Sequence, residues 1–187
     1  MDEKKPNLNE YSVIWLTKNY LSAHGLKGLL ITPDFLLAFL MSFSLSILAY
    51  YHPLKIEMFI KNISSDLIVL NITLLTIIIA GLAIVVSFTD EEYIMFLKIS
   101  GIYNTMLFSF FWVAGTAGLA IVFAIFLLLI SSFLQESYFI LLIGLILFFL
   151  SFYVLFGSIQ LVRTIVREGI LRGKYIELKY KKKQEKL

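Results

Sequence analysis

The sequence predicts an all-α membrane protein with four transmembrane helices, short interfacial amphipathic helices and a basic cytoplasmic tail. Hydrophobic residues make up 59 % of its 187 residues, well above the roughly 45–50 % that is usual in soluble domains. Four long segments carry no charged side chain. A soluble domain of this length has no interior large enough to bury so much apolar surface.

Residues 1–31 are predicted to form a cytoplasmic N-terminal segment that lies in the membrane interface. A short helix is expected over residues 10–23, which are partly polar and include Trp15 and two tyrosines. Tryptophan and tyrosine favour the boundary between lipid and water. We therefore expect this segment to lie along the membrane surface rather than cross it.

Residues 32–162 are predicted to form the transmembrane domain. Thr32 and Pro33 mark its start, because a hydroxyl at the N-cap and a proline at the first helical position both favour a helix N-terminus. Each uncharged segment approaches or exceeds the length needed to cross a hydrocarbon core of roughly 30 Å. The predicted spans cover about residues 35–51, 67–88, 104–130 and 138–162.

Two connections between the spans carry helix-start signals. An amphipathic helix beginning at Pro53 is predicted to lie flat on the outer membrane surface, and Ser64-Ser65-Asp66 to cap the second span. Thr89 and Glu92 have the spacing of a capping box. In this motif the side chain of the first residue accepts a hydrogen bond from the backbone N–H of the fourth residue, and the side chain of the fourth accepts one from the backbone N–H of the first. The second and third spans are therefore predicted to form a hairpin around a short acidic turn, with residues 93–101 as the start of the third helix. Residues 131–137 are predicted to form the tight turn between the third and fourth spans.

The distribution of basic residues predicts the orientation. Of the 16 lysines and arginines, all but Lys55 and Lys61 lie on the side that holds both termini and the 89–103 connection. Because lysine and arginine in short loops accumulate on the cytoplasmic side, both termini are predicted to be cytoplasmic. The expected location is the cytoplasmic (inner) membrane, with the chain crossing it several times.

The sequence carries no enzyme signature, and we predict a non-enzymatic protein without a cofactor or a metal. The chain has no cysteine, and the predicted topology places His24 and His52 on opposite sides of the membrane. The spans contain no ionisable residue, which disfavours an ion-coupled transporter. The acidic residues 90–92 favour the N-terminus of the following helix, with cation or partner binding as the alternative.

Small and hydroxylated residues form a stripe on each span. On the second span, five such residues lie within about 80° of one another around the helix axis, at 100° per residue: Thr73, Thr76, Ala80, Ala83 and Ser87. This stripe is expected either to line a pore in an oligomer or to pack against other helices. The third and fourth spans carry residues expected to pack helices closely: Ala114, Ala117, Gly118, Ala120, Ala124, Gly144, Ser151 and Ser158. Asn71 lies opposite the first stripe and is expected either to bond a neighbouring subunit or to meet water at a helix end.

Residues 163–187 form the predicted basic tail, and the helix of the fourth span is expected to continue into it. A cluster of basic residues next to a span binds anionic lipid headgroups or docks a cytoplasmic protein partner. Nucleic acid is disfavoured as a partner, because few aromatic residues and no binding motif accompany the charge. The residues expected to dock lipid or partner are Arg163, Arg167, Arg172, Lys174, Lys179, Lys181, Lys182 and Lys183.

The segment IIIAGLAIVVSFTDEE, residues 77–92, followed by Tyr93 and by Phe96-Leu97, resembles small four-span membrane proteins of prokaryotic antiviral defence systems, with the Kiwa membrane subunit as a candidate. The resemblance implies a homo-oligomeric inner-membrane component that senses infection or forms a pore, working with a cytoplasmic partner. The alternatives are a stand-alone channel or holin-like pore and a structural or assembly subunit of a larger membrane complex.

Overall fold

The computed structural model describes residues 16–18, 20, 22, 32–51, 56–87, 90–130 and 137–184. Within these residues the regular structure is entirely helical, which confirms the predicted all-α class. The delimited helices are α1 (Pro33–Tyr51), α2 (Ile56–Ser87), α3 (Glu91–Ile99), α4 (Ile102–Ile130) and α5 (Ser137–Gln184). The predicted interfacial helix at 10–23 and the turn at 131–137 lie mostly outside the described residues.

Among the described residues, three segments are long and apolar enough to cross a membrane: Asn62–Ser87 in α2, Ile102–Ile130 in α4, and Leu142–Lys181 in α5. The first predicted span corresponds to a shorter apolar segment, Pro33–Leu48 in α1. The hydroxyl of Thr32 accepts a hydrogen bond from the backbone N–H of Phe35 at 3.3 Å, which confirms the predicted N-cap. The chain therefore has the helices of a multi-pass membrane protein.

Helix α2 runs without interruption through the point at which a surface helix was predicted to end. The predicted cap at Ser64-Ser65-Asp66 lies inside α2, and the Ser64 side chain is fully buried. No glycine or proline lies between Ile56 and Ala80, so nothing in the backbone ends the helix at this point. A separate helix lying flat on the membrane surface is therefore not seen.

Helix α3 begins one residue later than the predicted capping box requires. Asp90 is the N-cap, and its side chain makes no capping hydrogen bond; Thr89 lies outside the described residues. Residues 93–101 were predicted to join the start of the third span, but α3 ends at Ile99 and Gly101 adopts a positive φ of 71° before α4. Glycine adopts this conformation without steric cost, so the chain turns here between two separate helices.

Helices α2, α4 and α5 pack together around the main core. Its centre includes Ile78 of α2, Phe110 of α4 and Val154 of α5, all buried. Helix α1 packs along α5, and the buried hydroxyl of Ser42 donates a hydrogen bond to the backbone oxygen of Leu145 at 2.9 Å. We call the end of the bundle that carries α3 and the C-terminal half of α5 the basic end.

Candidate functional site

A set of polar contacts joins α3 to the C-terminal half of α5 at the basic end. On α5 the contacting residues follow one another at intervals of three or four, so they share one face of the helix. On α3 and its N-cap they come from the first turn. We call this set the α3–α5 clasp, and its residues are Asp90, Glu92, Tyr93, Glu168, Arg172, Tyr175 and Lys179.

The buried centre of the clasp is Tyr93 with Glu168. The Tyr93 hydroxyl lies 3.2 Å from the backbone oxygen of Glu168 and 3.3 Å from its carboxylate oxygen Oε2, and it donates to both. Glu168 is only 5 % exposed, and Arg167 Nη2 lies 3.4 Å from its other carboxylate oxygen. Burial, and then the negative charge of Glu168, raise the pKa of Tyr93 to about 12. Tyr93 therefore stays protonated and keeps its donor.

The outer part of the clasp consists of exposed ion pairs. Arg172 Nη2 lies 3.4 Å from Asp90 Oδ2. The Glu92 carboxylate accepts hydrogen bonds from Lys179 and, at 3.4 Å, from the Tyr175 hydroxyl. The hydrogen bond from Lys179, together with its positive charge, lowers the pKa of Glu92. The acidic residues predicted to favour a helix N-terminus thus bind two of the basic residues of the tail.

Aromatic packing supports these contacts. The Tyr175 ring centroid lies 5.7 Å from that of Tyr93 and 5.5 Å from that of Phe96. A cavity of about 140 Å³ lies beside the clasp, between the C-terminal end of α2, helix α3 and the C-terminal half of α5. Glu168 and Arg172 are the charged residues of its mainly apolar lining. α5 is therefore held to α3 by both packing and charge.

The other basic residues of the tail lie away from the clasp. At 100° per residue, Arg163, Arg167, Lys174 and Lys181 form an exposed basic stripe on α5. Beside it lies an exposed apolar stripe: Val162, Val166, Ile170 and Tyr180. Lys181 pairs with Glu177 of the same helix at 2.8 Å. The side chains of Lys182 and Lys183 lie outside the described part of the chain. The predicted docking residues thus divide into two sets, one within the clasp and one facing outward.

All residues of the predicted stripe on α2 are exposed on the outside of the bundle: Thr73, Thr76, Ala80, Ala83 and Ser87. The three hydroxyls donate hydrogen bonds to backbone oxygens of α2 itself, at 2.8 to 2.9 Å. Their polar groups are therefore satisfied inside the helix, and the described part of the chain leaves this stripe exposed.

The small residues of α4 and α5 lie mainly inside the bundle. Ala117, Ala120 and Ala124 are fully buried, whereas Ala114 and Gly118 are half-buried. On α5 the buried positions include Gly144, Ser151 and Ser158. The buried positions allow close approach between helices, as residues of this size do in membrane bundles. Gly118 does not take part in such an approach, because a Cβ atom added there would meet no atom within 4 Å.

Asn71 occupies neither of its predicted places. Its side chain is fully buried in the bundle, where Nδ2 donates to Ser151 Oγ at 2.9 Å and to the Leu67 backbone oxygen at 2.8 Å. The two predictions for this residue, a hydrogen bond to a neighbouring subunit and exposure to water at a helix end, are therefore both wrong. A buried amide needs a partner, and the nearest one is the α5 serine, which had been expected only to pack.

The sequence analysis did not identify Tyr93 and Glu168 as a site. A signal was present: Leu161, Ile165, Glu168, Arg172 and Tyr175 continue the buried face of the span into the tail at intervals of three and four residues. Read along that face, Glu168 falls on the side that meets the bundle. The sequence analysis missed this pattern because it treated the tail as a basic segment and did not follow the buried face of the span into it.

The described residues contain no group of three or more histidine, cysteine, aspartate or glutamate side chains that could hold a metal ion. No protein-family model, curated protein or solved structure matches the chain.

Proposed function

We propose that this chain is a non-enzymatic, homo-oligomeric inner-membrane component of an antiviral defence system, which relays a change in the bilayer to a cytoplasmic protein partner. The observation that carries the proposal is the continuity of α5, a single helix of 48 residues. Its N-terminal half packs in the apolar bundle and its C-terminal half presents the basic and apolar stripes. A helix transmits movement along its axis because its backbone hydrogen bonds are internal.

The proposal includes four membrane crossings with both termini in the cytoplasm. The 19 residues of α1 reach about 28 Å as a helix, close to the thickness of a hydrocarbon core. The clasp supports the orientation, since α3 and the C-terminal half of α5 must lie on the same side of the membrane to make contact. That side carries most of the positive charge, as cytoplasmic segments do.

The outward stripes of α5 fit an acidic, amphipathic partner. Exposed basic residues next to exposed apolar residues match a surface that offers carboxylates beside an apolar ridge. The clasp prevents Arg172 and Lys179 from competing for that partner, because both already pair with acidic residues of the same chain.

Charge reversal on the outward face tests this function. In cells that carry the protein with its genomic neighbours, Arg167→Glu together with Lys174→Glu is expected to abolish protection against phage. Lys98→Glu reverses a basic residue on α3 outside both α5 stripes, and it is expected to preserve protection. Membrane levels of all variants are compared by immunoblotting. Equal protection by all variants, or no protection by the unaltered chain, would contradict the proposal.

A pore is the second candidate, and the exposed stripe on α2 favours it. In a ring of subunits, residues such as Thr73 and Thr76 would face a central axis, and hydroxyl-lined pores conduct without charged rings. Inducible depolarisation by the chain alone, removed by Thr73→Leu with Thr76→Leu, would support this candidate. An unchanged membrane potential on expression would leave the relay function in place.

A further inference from the structure

An open groove runs along the bundle between the start of α1, the middle of α4 and α5. Its volume is about 540 Å³, within the range of small-molecule sites. Half of its lining residues are aromatic: Phe35, Phe111, Trp112, Phe149 and Tyr153. Thr17 of the N-terminal segment also lines it. Phe111 and Leu119 lie on its outer rim and are about half exposed, so the groove opens toward the side of the bundle that faces lipid.

A smaller polar recess of about 100 Å³ continues the groove toward the basic end. Trp112 and Tyr153 belong to the walls of both, and Trp112 Nε1 donates a hydrogen bond to the Tyr153 hydroxyl at 3.0 Å. Asp34 of α1 and Gln160 of α5 also line the recess, as does Tyr20, whose ring stacks on that of Phe108 with the centroids 4.2 Å apart. The site is therefore polar at one end and apolar along the rest of its length.

The polar end combines one carboxylate with neutral polar groups, of which the Gln160 amide and the Tyr153 hydroxyl carry N–H and O–H donors. The hydroxyls of Ser109 and Thr164 donate to backbone oxygens of their own helices, at 2.9 and 3.0 Å, so their free lone pairs face outward as acceptors. The Asp34 carboxylate is the only charged side chain that lines either part of the site among the described residues. A group that suits this recess carries positive charge and several N–H donors, as a primary ammonium does.

The depth of the groove matches that of a lipid in one leaflet. Ser109 lies near the basic end of α4, whereas Leu119 lies beyond the middle of this helix. The ten residues between them correspond to about 15 Å along the helix axis, half of a typical hydrocarbon core. A molecule with its head beside Asp34 would thus reach the centre of the bilayer with its tail.

We propose that this groove binds one phospholipid with a primary-amine headgroup from the leaflet at the basic end. The ammonium group binds the carboxylate of Asp34 and the neighbouring acceptors, and one acyl chain lies along the aromatic walls. The site is independent of the proposed defence role, because it requires only that the bundle stands in a bilayer.

Native mass spectrometry of the full-length protein tests the proposal. The protein is exchanged into equal amounts of phosphatidylethanolamine, phosphatidylcholine and phosphatidylglycerol. Phosphatidylcholine is the informative competitor, because its headgroup is cationic but has no N–H donor. We expect one bound phosphatidylethanolamine per chain, enriched about tenfold over either competitor by its charge-assisted hydrogen bonds. Equal retention of all three lipids, or retention of none, would overturn the proposal.

Variants of two glycines separate filling of the groove from unfolding. Gly115 lines the groove, and a Cβ atom at this position meets no atom within 4 Å. Gly115→Leu is expected to fold and to lose the bound lipid. Gly118 has equally open surroundings three residues farther along but does not line the groove, so Gly118→Leu is expected to keep the lipid. Equal retention by the two variants, with the fold verified by circular dichroism, would refute the site.

Two further measurements identify the headgroup contact and the occupant. Asp34→Asn is expected to remove the enrichment of phosphatidylethanolamine over phosphatidylcholine, and Asp66→Asn, an exposed carboxylate on α2, to preserve it. A photoreactive residue at position 119 is expected to form an adduct with a lipid acyl chain. Because Thr17 and Tyr20 already line the groove and its recess, an adduct with residues 1–31 together with a lipid adduct is compatible with the site. An adduct with residues 1–31 and none with lipid would show that the chain fills its own groove, and it would overturn the proposal.

Discussion

Replacing Tyr93 with phenylalanine tests how firmly the α3–α5 clasp holds α5. The variant keeps the aromatic ring, whose centroid lies 5.7 Å from that of Tyr175, and removes only the hydroxyl. Glu168, 5 % exposed, then loses the donor that serves both its carboxylate and its backbone oxygen. Leaving a buried acceptor without its partner costs about 1–3 kcal/mol. Because Arg167 still lies 3.4 Å from the carboxylate, we expect a loss of about 1–2 kcal/mol.

Hydrogen exchange measures this loss where it occurs. If α3 detaches locally from α5, a loss of this size raises the exchange rate of the α3 amides about 5- to 30-fold. The measurement uses full-length protein in nanodiscs at neutral pH. Tyr180→Phe removes an equivalent hydroxyl from an exposed position of α5 and is expected to leave α3 unchanged. An unaltered rate in Tyr93→Phe, or the same increase in both variants, would refute the role of Tyr93.

The pH dependence of the clasp follows from the raised pKa of Tyr93. The unfolded value is 10.0 and the folded value is about 12, so the folded state holds the phenol proton more tightly. The resulting stabilisation is complete below pH 10 and is lost as the pH rises toward 12. We therefore expect exchange of α3 in the wild type to accelerate across this interval by more than in Tyr93→Phe. Parallel pH profiles would contradict this assignment.

Three other predictions concern packing, a buried hydrogen bond and charge. Gly157→Ala is expected to lower the free energy of unfolding in detergent by about 1–3 kcal/mol, because the added Cβ would lie 3.0 Å from a side-chain atom of Val113. Gly118→Ala is the control and should not lower it, because no atom lies within 4 Å of its Cβ. Asn71→Ala should cost only about 0.6–1.7 kcal/mol in the same assay, the range for hydrogen bonds between membrane helices. The lowered pKa of Glu92 stabilises the clasp above its ordinary pKa of 4.5. The protection factors of the α3 amides, which are the intrinsic exchange rates divided by the observed rates, should therefore fall as the pH drops below that value, and Glu92→Gln should remove the change.

The sequence was sufficient to predict which segments are apolar helices but not how those helices face one another. Helix α4 is apolar around its whole circumference, so periodicity alone does not distinguish its lipid side from its bundle side. In the structure its buried side includes Ala117, Ala120 and Ala124, because small side chains allow the closest approach. The stripe on α2, with the same kind of residues, lies outside. Residue size alone therefore did not distinguish the two positions.

The continuation of α5 through the tail was predicted and is confirmed, since its 48 residues form one helix. The burial of Glu168 could not be predicted from local sequence, because it depends on Tyr93, 75 residues away. The pairing of Asn71 with Ser151 has the same origin, with 80 residues between the partners. Long-range polar contacts of this kind arise when two helices meet, and neither helix specifies them alone.

The division of the tail into two faces changes which of its basic residues are available to bind lipid or a partner. Counted along the sequence, the basic residues form one attraction for anionic lipid, worth about 1 kcal/mol for each residue near the surface. In the structure, Arg172 and Lys179 are already paired with Asp90 and Glu92, which weakens that attraction on the clasp side. The remaining basic residues stand beside exposed apolar side chains on a helix anchored in the bundle. The partner proposed for this face would therefore have to match charge and apolar contact together.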